Sequence, residues 1–321
     1  MSDKNFIDCF LYDGEYSLLL LRLKLHAPYV KKFIIVQAEL SFQGNLSFVP
    51  RLNIKFLENK FPYCCGKIFY IYLETLVFSS CNSPVDREIL CRQHFSDGLG
   101  ELFSSDFIII SDVDEIFDFK SFNFNLLHTN SVYKLNMFFS YFLPHYICVT
   151  MPWWGSPLAI PAQVFVNENL DLGTLRPVAN IKSSLPSNIP VQHIYNCGIH
   201  MSFLGGYDDV VRKLSRYSDC PLFACKNQFE FDQFICNGQD VFGRNLIWSF
   251  NPSLSLLFSR EFYLQINLLP HEIRVNRLPV SFGFPTYLWL LSKFSTPYTY
   301  YLLRRAYLYF LKLVKFMCIN S

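Results

Sequence analysis

The chain has 321 residues, of which 51% are hydrophobic and 17% charged, and its formal net charge is +2. That length and apolar content suit one large α/β domain with a sizeable core and exclude a disordered chain. The near-neutral balance offers no strongly basic face of the kind that nucleic acid selects.

Taken in order, Phe6 to Tyr12 is an apolar run and predicts a buried strand. Glu15 to His26 follows with leucines at helical spacing around Arg22 and Lys24, and Pro28 ends that helix. Lys32 to Ala38 is β-branched and predicts a second buried strand. The chain thus opens strand–helix–strand, the unit of a parallel sheet. Lys67 to Tyr72 predicts a third strand and Asp86 to Phe103 a helix. Asp106 to Ser111 (DFIIIS) is the clearest buried strand, and the polar residues Ser111, Asp112, Asp114 and Glu115 close it. From Val132 to Val166 short strands mix with Pro and Trp-Trp, as in an irregular acceptor half of an enzyme. Arg176 to Pro190 is Pro/Ser-rich and predicts a loop, followed by a short strand at Val191 to Tyr195. Gly198 to Ser202 comes next, and Gly205-Gly206 opens a helix over Tyr207 to Tyr217.

The tail is different in kind. Phe284 to Met317 is aromatic and leucine-rich, with Lys293, Arg304, Arg305, Lys312 and Lys315 interspersed. Such a segment suits helices on an anionic membrane surface, or a helical pair packed on the core. We therefore divide the chain into a domain at residues 1–280 and a basic aromatic helical tail at residues 281–321. No apolar stretch reaches the roughly 18 to 20 residues of a membrane span. The eleven cysteines contain no Cys-x-x-Cys pair, so a structural zinc site is not expected. With no apolar leader at MSDKNFIDCF, they are expected as reduced thiols in a cytosol.

A hydrophobic strand that ends in Asp112-Val113-Asp114 sets two carboxylates at the carboxyl edge of a parallel sheet, where open α/β folds bind ligands. Hard cations such as Mg²⁺ and Mn²⁺ take such oxygens and keep positions for substrate phosphates. The same residues can instead cap a helix or fill a turn. Gly205-Gly206 at a helix start, with Arg212, Lys213 and Arg216 nearby, could receive an anion or be an ordinary turn. Asp232 and Asp240 are candidates for a general base. Trp153-Trp154 could stack on a sugar or pack in the core.

Four blocks together resemble glycosyltransferase family 17. They are Ile7-Asp8-Cys9-Phe10 with Glu15 and Leu20 to Leu23; Lys32 to Val36 with Ser41-Phe42-Gln43-Gly44; Ile110 to Ile116; and Gly198 to Ser202 with Gly205-Gly206 and Arg212-Lys213-Leu214. Their order and spacing run from about residue 5 to about residue 245. The resemblance implies a GT-A-like (Rossmann-like) fold with a mostly parallel central sheet. It also implies an inverting transfer of N-acetylglucosamine from UDP-GlcNAc with Mn²⁺ or Mg²⁺. Asp112 and Asp114 would hold metal and diphosphate, His200 would be a further metal or diphosphate ligand, and Glu115 a neighbouring acidic group that supports the ligands or binds the sugar, and so a candidate catalytic residue. Arg92 would pair with phosphate or with the acidic cluster. Where the family usually carries Glu, Trp and Pro, this chain has Gln37, Ile199 and Phe117.

The expected partners are a nucleotide sugar and a glycan or glycolipid acceptor, with no nucleic acid. The expected place is the cytoplasm, peripheral on the inner face of a membrane through the tail. Two rivals are an Asp-nucleophile phosphatase, which normally has Gly or Thr soon after the second Asp, and a non-catalytic membrane-peripheral protein on a degenerate transferase fold.

Overall fold

The computed structural model describes residues 5–121, 126–176, 185–217, 223–250 and 258–272. At its centre β1 (Asn5–Leu11) and β4 (Asp106–Asp112) pair in parallel, from Asn5 opposite Asp106 to Leu11 opposite Asp112. Both strands are apolar on both faces, so both faces need cover. Phe6 and Phe10 point with Phe107 and Ile109 into one core, while Ile7, Cys9, Ile108 and Ile110 point into another, the period-2 alternation of a strand. α1 (Tyr16–His26) covers the first side, burying Leu18, Leu19, Leu21 and Leu23. α3 (Pro84–Gln93), opened by a Ser83/Asp86 capping box, and α4 (Phe95–Leu99) cover the second. One helix is predicted over 86–103; the structure has two short ones, and Gly100 ends the second at a φ of 64°.

β2 (Val30–Ala38) and β3 (Ile68–Leu73) extend the sheet in parallel beside β1. α2 (Ile54–Lys60) lies in the connection between them. Beyond β4 stand β10 (Leu158–Pro161), antiparallel to both neighbours, then β6 (Val132–Leu135) and β11 (Val191–Ile194). The order is β11-β6-β10-β4-β1-β2-β3, the mostly parallel central sheet expected of a Rossmann-like fold.

The short strands predicted from Val132 to Val166 divide between two sheets: β6 and β10 join the first, and three others join a second. The second sheet holds β5 (Glu115–Phe117), β7 (Met137–Tyr141), β8 (Tyr146–Cys148), β9 (Trp153–Trp154), β12 (Gly198–Ser202) and β13 (Trp248–Phe250), ordered β13-β8-β7-β12-β5 with β9 on β7. Among the described strands the chain changes sheet five times, twice through only one or two residues. Asn136 carries β6 into β7, and Val113-Asp114 carry β4 into β5. The acidic motif is thus the hinge between the two sheets, which is why it sits at an edge and also in the interior.

Four further helices follow β10: α5 (Ala162–Asn167), α6 (Leu172–Leu175), α7 (Tyr207–Leu214) and α8 (Gln228–Cys236). A fifth, α9 (Arg260–Glu272), packs on α1. The helix predicted to Tyr217 ends at Leu214. The predicted tail, residues 281–321, and the boundary before it lie outside the described residues. No described helix is long and apolar enough to cross a membrane.

Candidate active site

Asp8 is a charge inside the apolar run of β1, fully buried. A buried charge needs a partner, and Arg22 on α1 supplies it, bonding Asp8 through Nε at 3.0 Å and through Nη2. Arg22 Nη1 then donates to the carbonyl oxygens of Asp112 at 2.7 Å and Glu115 at 2.8 Å. The turn that carries the acidic motif is therefore held from beneath by one guanidinium. His26 completes the lock: Nδ1–H donates to Asp8 at 2.9 Å, and Nε2 accepts from the Phe117 N–H at 3.0 Å.

Above this base the three carboxylates part company. Asp112 gives one oxygen to Arg92 at 3.1 Å and the other to Arg176 at 2.7 Å. Although burial pushes its carboxyl up, these two guanidiniums hold it below its ordinary range. Glu115 is fully buried; it accepts from Arg176 at 2.6 Å, from Trp154 Nε1 at 2.5 Å and from the Asp112 N–H at 2.7 Å. Asp114 accepts from Lys213 at 2.8 Å through Oδ2. Its burial is more than offset by Lys213 and then His200, which together hold the carboxyl far below the carboxylate range. Asp114 Oδ1 is buried without a hydrogen-bond partner, and His200 Nε2 stands 3.5 Å from it. His200 is itself buried, its ring stacked on Trp154 with Phe139 alongside both.

This arrangement tests the expected divalent ion. Asp114 Oδ1 is an open oxygen, and 3.5 Å is within reach of one cation bonded to both it and His200, each bond being roughly 2.0–2.2 Å. Among the described residues no group of three His, Cys, Asp or Glu side chains converges as ligands. A two-ligand site leaves positions for substrate phosphate and water, as Mg²⁺ and Mn²⁺ chemistry favours. Asp112, predicted as the second carboxylate ligand, has both oxygens taken by arginines, so the pair that fits is Asp114 with His200.

Other predicted residues are placed differently. Arg92 pairs with the acidic cluster rather than standing open. Lys213 reaches Asp114, but Arg212, on the same helix, is exposed and pairs with Asp209 at 2.7 Å. Gly205-Gly206 is not an open anion cradle, because Asp209 accepts the Gly206 N–H at 3.1 Å and Gln228 accepts the Tyr207 N–H at 3.2 Å. Asp232 bonds Gln228 within α8. Asp240 is buried against Arg244 and Trp248. Neither reaches the cluster, and Glu115 is buried among its own partners rather than facing a ligand. Gln37 donates to the carbonyls of Val49 and Pro50 at 3.2 and 3.1 Å, which a carboxylate could not do.

Arg176 has no local signature: it lies 61 residues from Glu115 in a stretch read as a loop. Arg22 and Asp8 did carry a signal, as two charges in apolar runs one helix apart.

A cavity of about 930 Å³ adjoins the cluster through Lys213 and Glu15, with Asp13 and Arg216 in its wall. A smaller crevice shares Asp13, Glu15 and Lys213 and reaches Asp112, Asp114 and Arg92. Burial, and then Glu15, push the Asp13 carboxyl up to about 7 even though Arg216 pairs with it.

The acidic hinge at the end of a parallel strand meets a family signature at this point. Residues 1–143 match the model of glycosyltransferase family 17. The match supports the family likeness and, with it, a glycosyltransferase. The family-17 match spans β1 to β7 and includes the acidic motif, while the block around His200 and Lys213 lies beyond it. No curated protein matches the chain. Among solved structures, the 2-C-methyl-D-erythritol 4-phosphate cytidylyltransferase of Francisella tularensis is similar at 11% identity, over 67% of this chain and 100% of that one, with a TM-score of 0.31. That score is too low to bear on function.

Proposed function

We propose that this glycosyltransferase moves a sugar from a nucleoside diphosphate to a hydroxyl acceptor with inversion. UDP-GlcNAc, which the family resemblance implies, is the proposed donor, and a glycan or glycolipid the proposed acceptor. The observation that carries the reading is Asp114, whose Oδ1 is buried and open beside His200 at the end of β4. Asp114 and His200 would hold a divalent ion, which when bound supplies positive charge against the leaving diphosphate. Lys213, already beside Asp114, is the fixed cation placed to share that charge.

In the transfer, the acceptor oxygen bonds to the anomeric carbon. The bond from that carbon to the diphosphate oxygen breaks, and its electron pair leaves with the nucleotide. The proton of the acceptor hydroxyl passes to a carboxylate. Asp232 and Asp240 are out of reach for this, and Asp13 in the cavity wall takes their place. An affinity near neutrality suits a base that must collect a proton at physiological pH.

The test is calorimetric binding of UDP, GDP, ADP and their sugars, with Mn²⁺ and with EDTA, to the wild type and to Asp114→Ala. The reading expects metal-dependent binding of uridine nucleotides that the variant loses. A folded wild type that binds no nucleotide with Mn²⁺ present would overturn it.

A further inference from the structure

The large cavity carries an uneven distribution of chemistry. Three aromatic side chains at its rim face water: Phe48 at 95% relative exposure, Phe56 at 50% and Tyr16 at 41%. A lone exposed ring is ordinary, but three on one cavity mouth mark a ligand surface. Two of them sit on helices and Phe48 in the stretch between β2 and α2. Tyr16 is the first residue of α1. Phe56 lies in the first turn of α2, its N–H accepted by the Asn53 cap at 3.0 Å. Phe48 is flanked by Ser47, whose Oγ accepts from Arg216 at 2.7 Å.

Charge decides what the rim receives. Four cations line the cavity, and each is already engaged: Arg51 with Glu74, Arg212 with Asp209, Lys213 with Asp114 and Glu15, and Arg216 with Asp13. An anionic ligand would meet cations whose charge is already balanced, and the carboxylates of Glu15 and Asp209 would repel it. A neutral, polyhydroxylated ligand meets no such cost. Its C–H faces lie on aromatic rings, and its hydroxyls bond to the paired acids and bases.

We infer that this rim is the platform for the acceptor: a neutral saccharide stacks on Phe48, Phe56 and Tyr16, with the hydroxyl that reacts directed inward toward Asp13. The inference rests on the transferase reading for the word acceptor, but the saccharide site itself does not. It also separates the two substrates, with the donor's diphosphate at the Asp114 side of Lys213 and the acceptor in the cavity on the other.

The experiment screens the full chain on an array of neutral oligosaccharides ending in mannose, glucose, galactose or N-acetylglucosamine. The wild type is compared with Phe48→Ala, Phe56→Ala and the double variant. UDP binding with Mn²⁺ and binding to vesicles of phosphatidylcholine with phosphatidylglycerol are measured in parallel. The substituted rings are half exposed or more, so the fold should survive, and circular dichroism checks it. Expected is wild-type binding to at least one oligosaccharide, weakened tenfold or more in the double variant, with UDP affinity changed less than twofold.

If the variants lose UDP affinity instead, the rim belongs to the donor base and the inference fails. If they lose only vesicle binding, the rim is a membrane surface and the inference fails. If the wild type binds UDP but no oligosaccharide, the inference fails while the transferase reading stands. Saccharide binding that depends on the rim in a chain that binds no nucleotide would keep the site and remove the transferase.

Discussion

The imidazole of His200 lies against Trp154, their ring centroids 4.4 Å apart, and Trp154 donates Nε1–H to the buried Glu115 at 2.5 Å. Glu115 thus acts on the site through a ring rather than by touching a ligand. Supporting groups of this kind typically change metal affinity about 10–100-fold when removed. Trp154→Ala should weaken Mn²⁺ binding in the presence of UDP by about that much, whereas Trp154→Phe, which keeps the stack but not the N–H to Glu115, should lose less. Calorimetry on the two variants checks it; equal losses would show that the stack does not matter.

The two aspartates of the motif should separate under the same measurement. Asp114 holds the open oxygen, while Asp112 is bound on both sides by Arg92 and Arg176. Asp114→Ala should abolish Mn²⁺-dependent UDP binding. Asp112→Asn keeps a similar shape and should retain it within about tenfold, losing mainly one charge-assisted bond of roughly 1.5–3 kcal/mol. The reverse ranking would move the metal to Asp112.

Arg22 and Asp8 are both wholly buried and bonded to each other. Removing one member of such a pair strands the other, at about 3–5 kcal/mol. Arg22→Met should therefore lower the unfolding free energy by that amount and loosen the turn at Asp112 and Glu115. The double variant Arg22→Met with Asp8→Leu leaves no stranded charge and should recover part of the loss. Urea unfolding of the three proteins measures both effects.

The central strands and the acidic edge were legible because burial on both faces forces an apolar run, and because a carboxylate pair ends that run. The position of the motif between two sheets was not legible, since it depends on Gly198 to Ser202 returning beside Glu115 to Phe117 after six intervening strands and two helices. Arg176 was hidden for the same reason. Glu115, Asp232 and Asp240 are alike in sequence, as acidic residues near apolar segments, and only packing tells a buried scaffold from a helix surface. Asp13 was passed over because nothing local marks a turn aspartate as buried beside a second carboxylate.

His26 should cost the folded state stability on mild acidification. Burial, only partly countered by Asp8, pushes His26 down to about 4, whereas the unfolded chain takes that proton near 6.5. Between those values the unfolded state binds more protons, so stability decreases as pH drops from 6.5 to 4. Asp8 adds a second loss: Arg22 and His26 outweigh burial and hold it at about 2, so its contribution is complete above 3.8 and disappears as pH falls through 2. Asp13 titrates in the opposite sense over the same interval, so the test is made in an Asp13→Asn background, where urea midpoints at pH 7, 5 and 4 should decline. They should decline less over this interval in His26→Gln; identical slopes would exclude His26 as the source.

Asp13 makes the last test, and its sign runs the other way. Burial and Glu15 raise it to about 7, so the folded protein holds a proton that the unfolded chain gives up near 3.8. That effect lowers stability as pH rises from 4 to 7, while activity should increase over the upper part of the range as the carboxylate forms. The wild-type kcat/KM should rise tenfold per pH unit below about 7 and level off above it. Asp13→Asn should lose about 10²–10⁴-fold and lose the rise as well. A positioning role would lower kcat/KM but leave the profile in place, and an unchanged profile in the variant would assign the proton to Glu15 or to another group in the cavity.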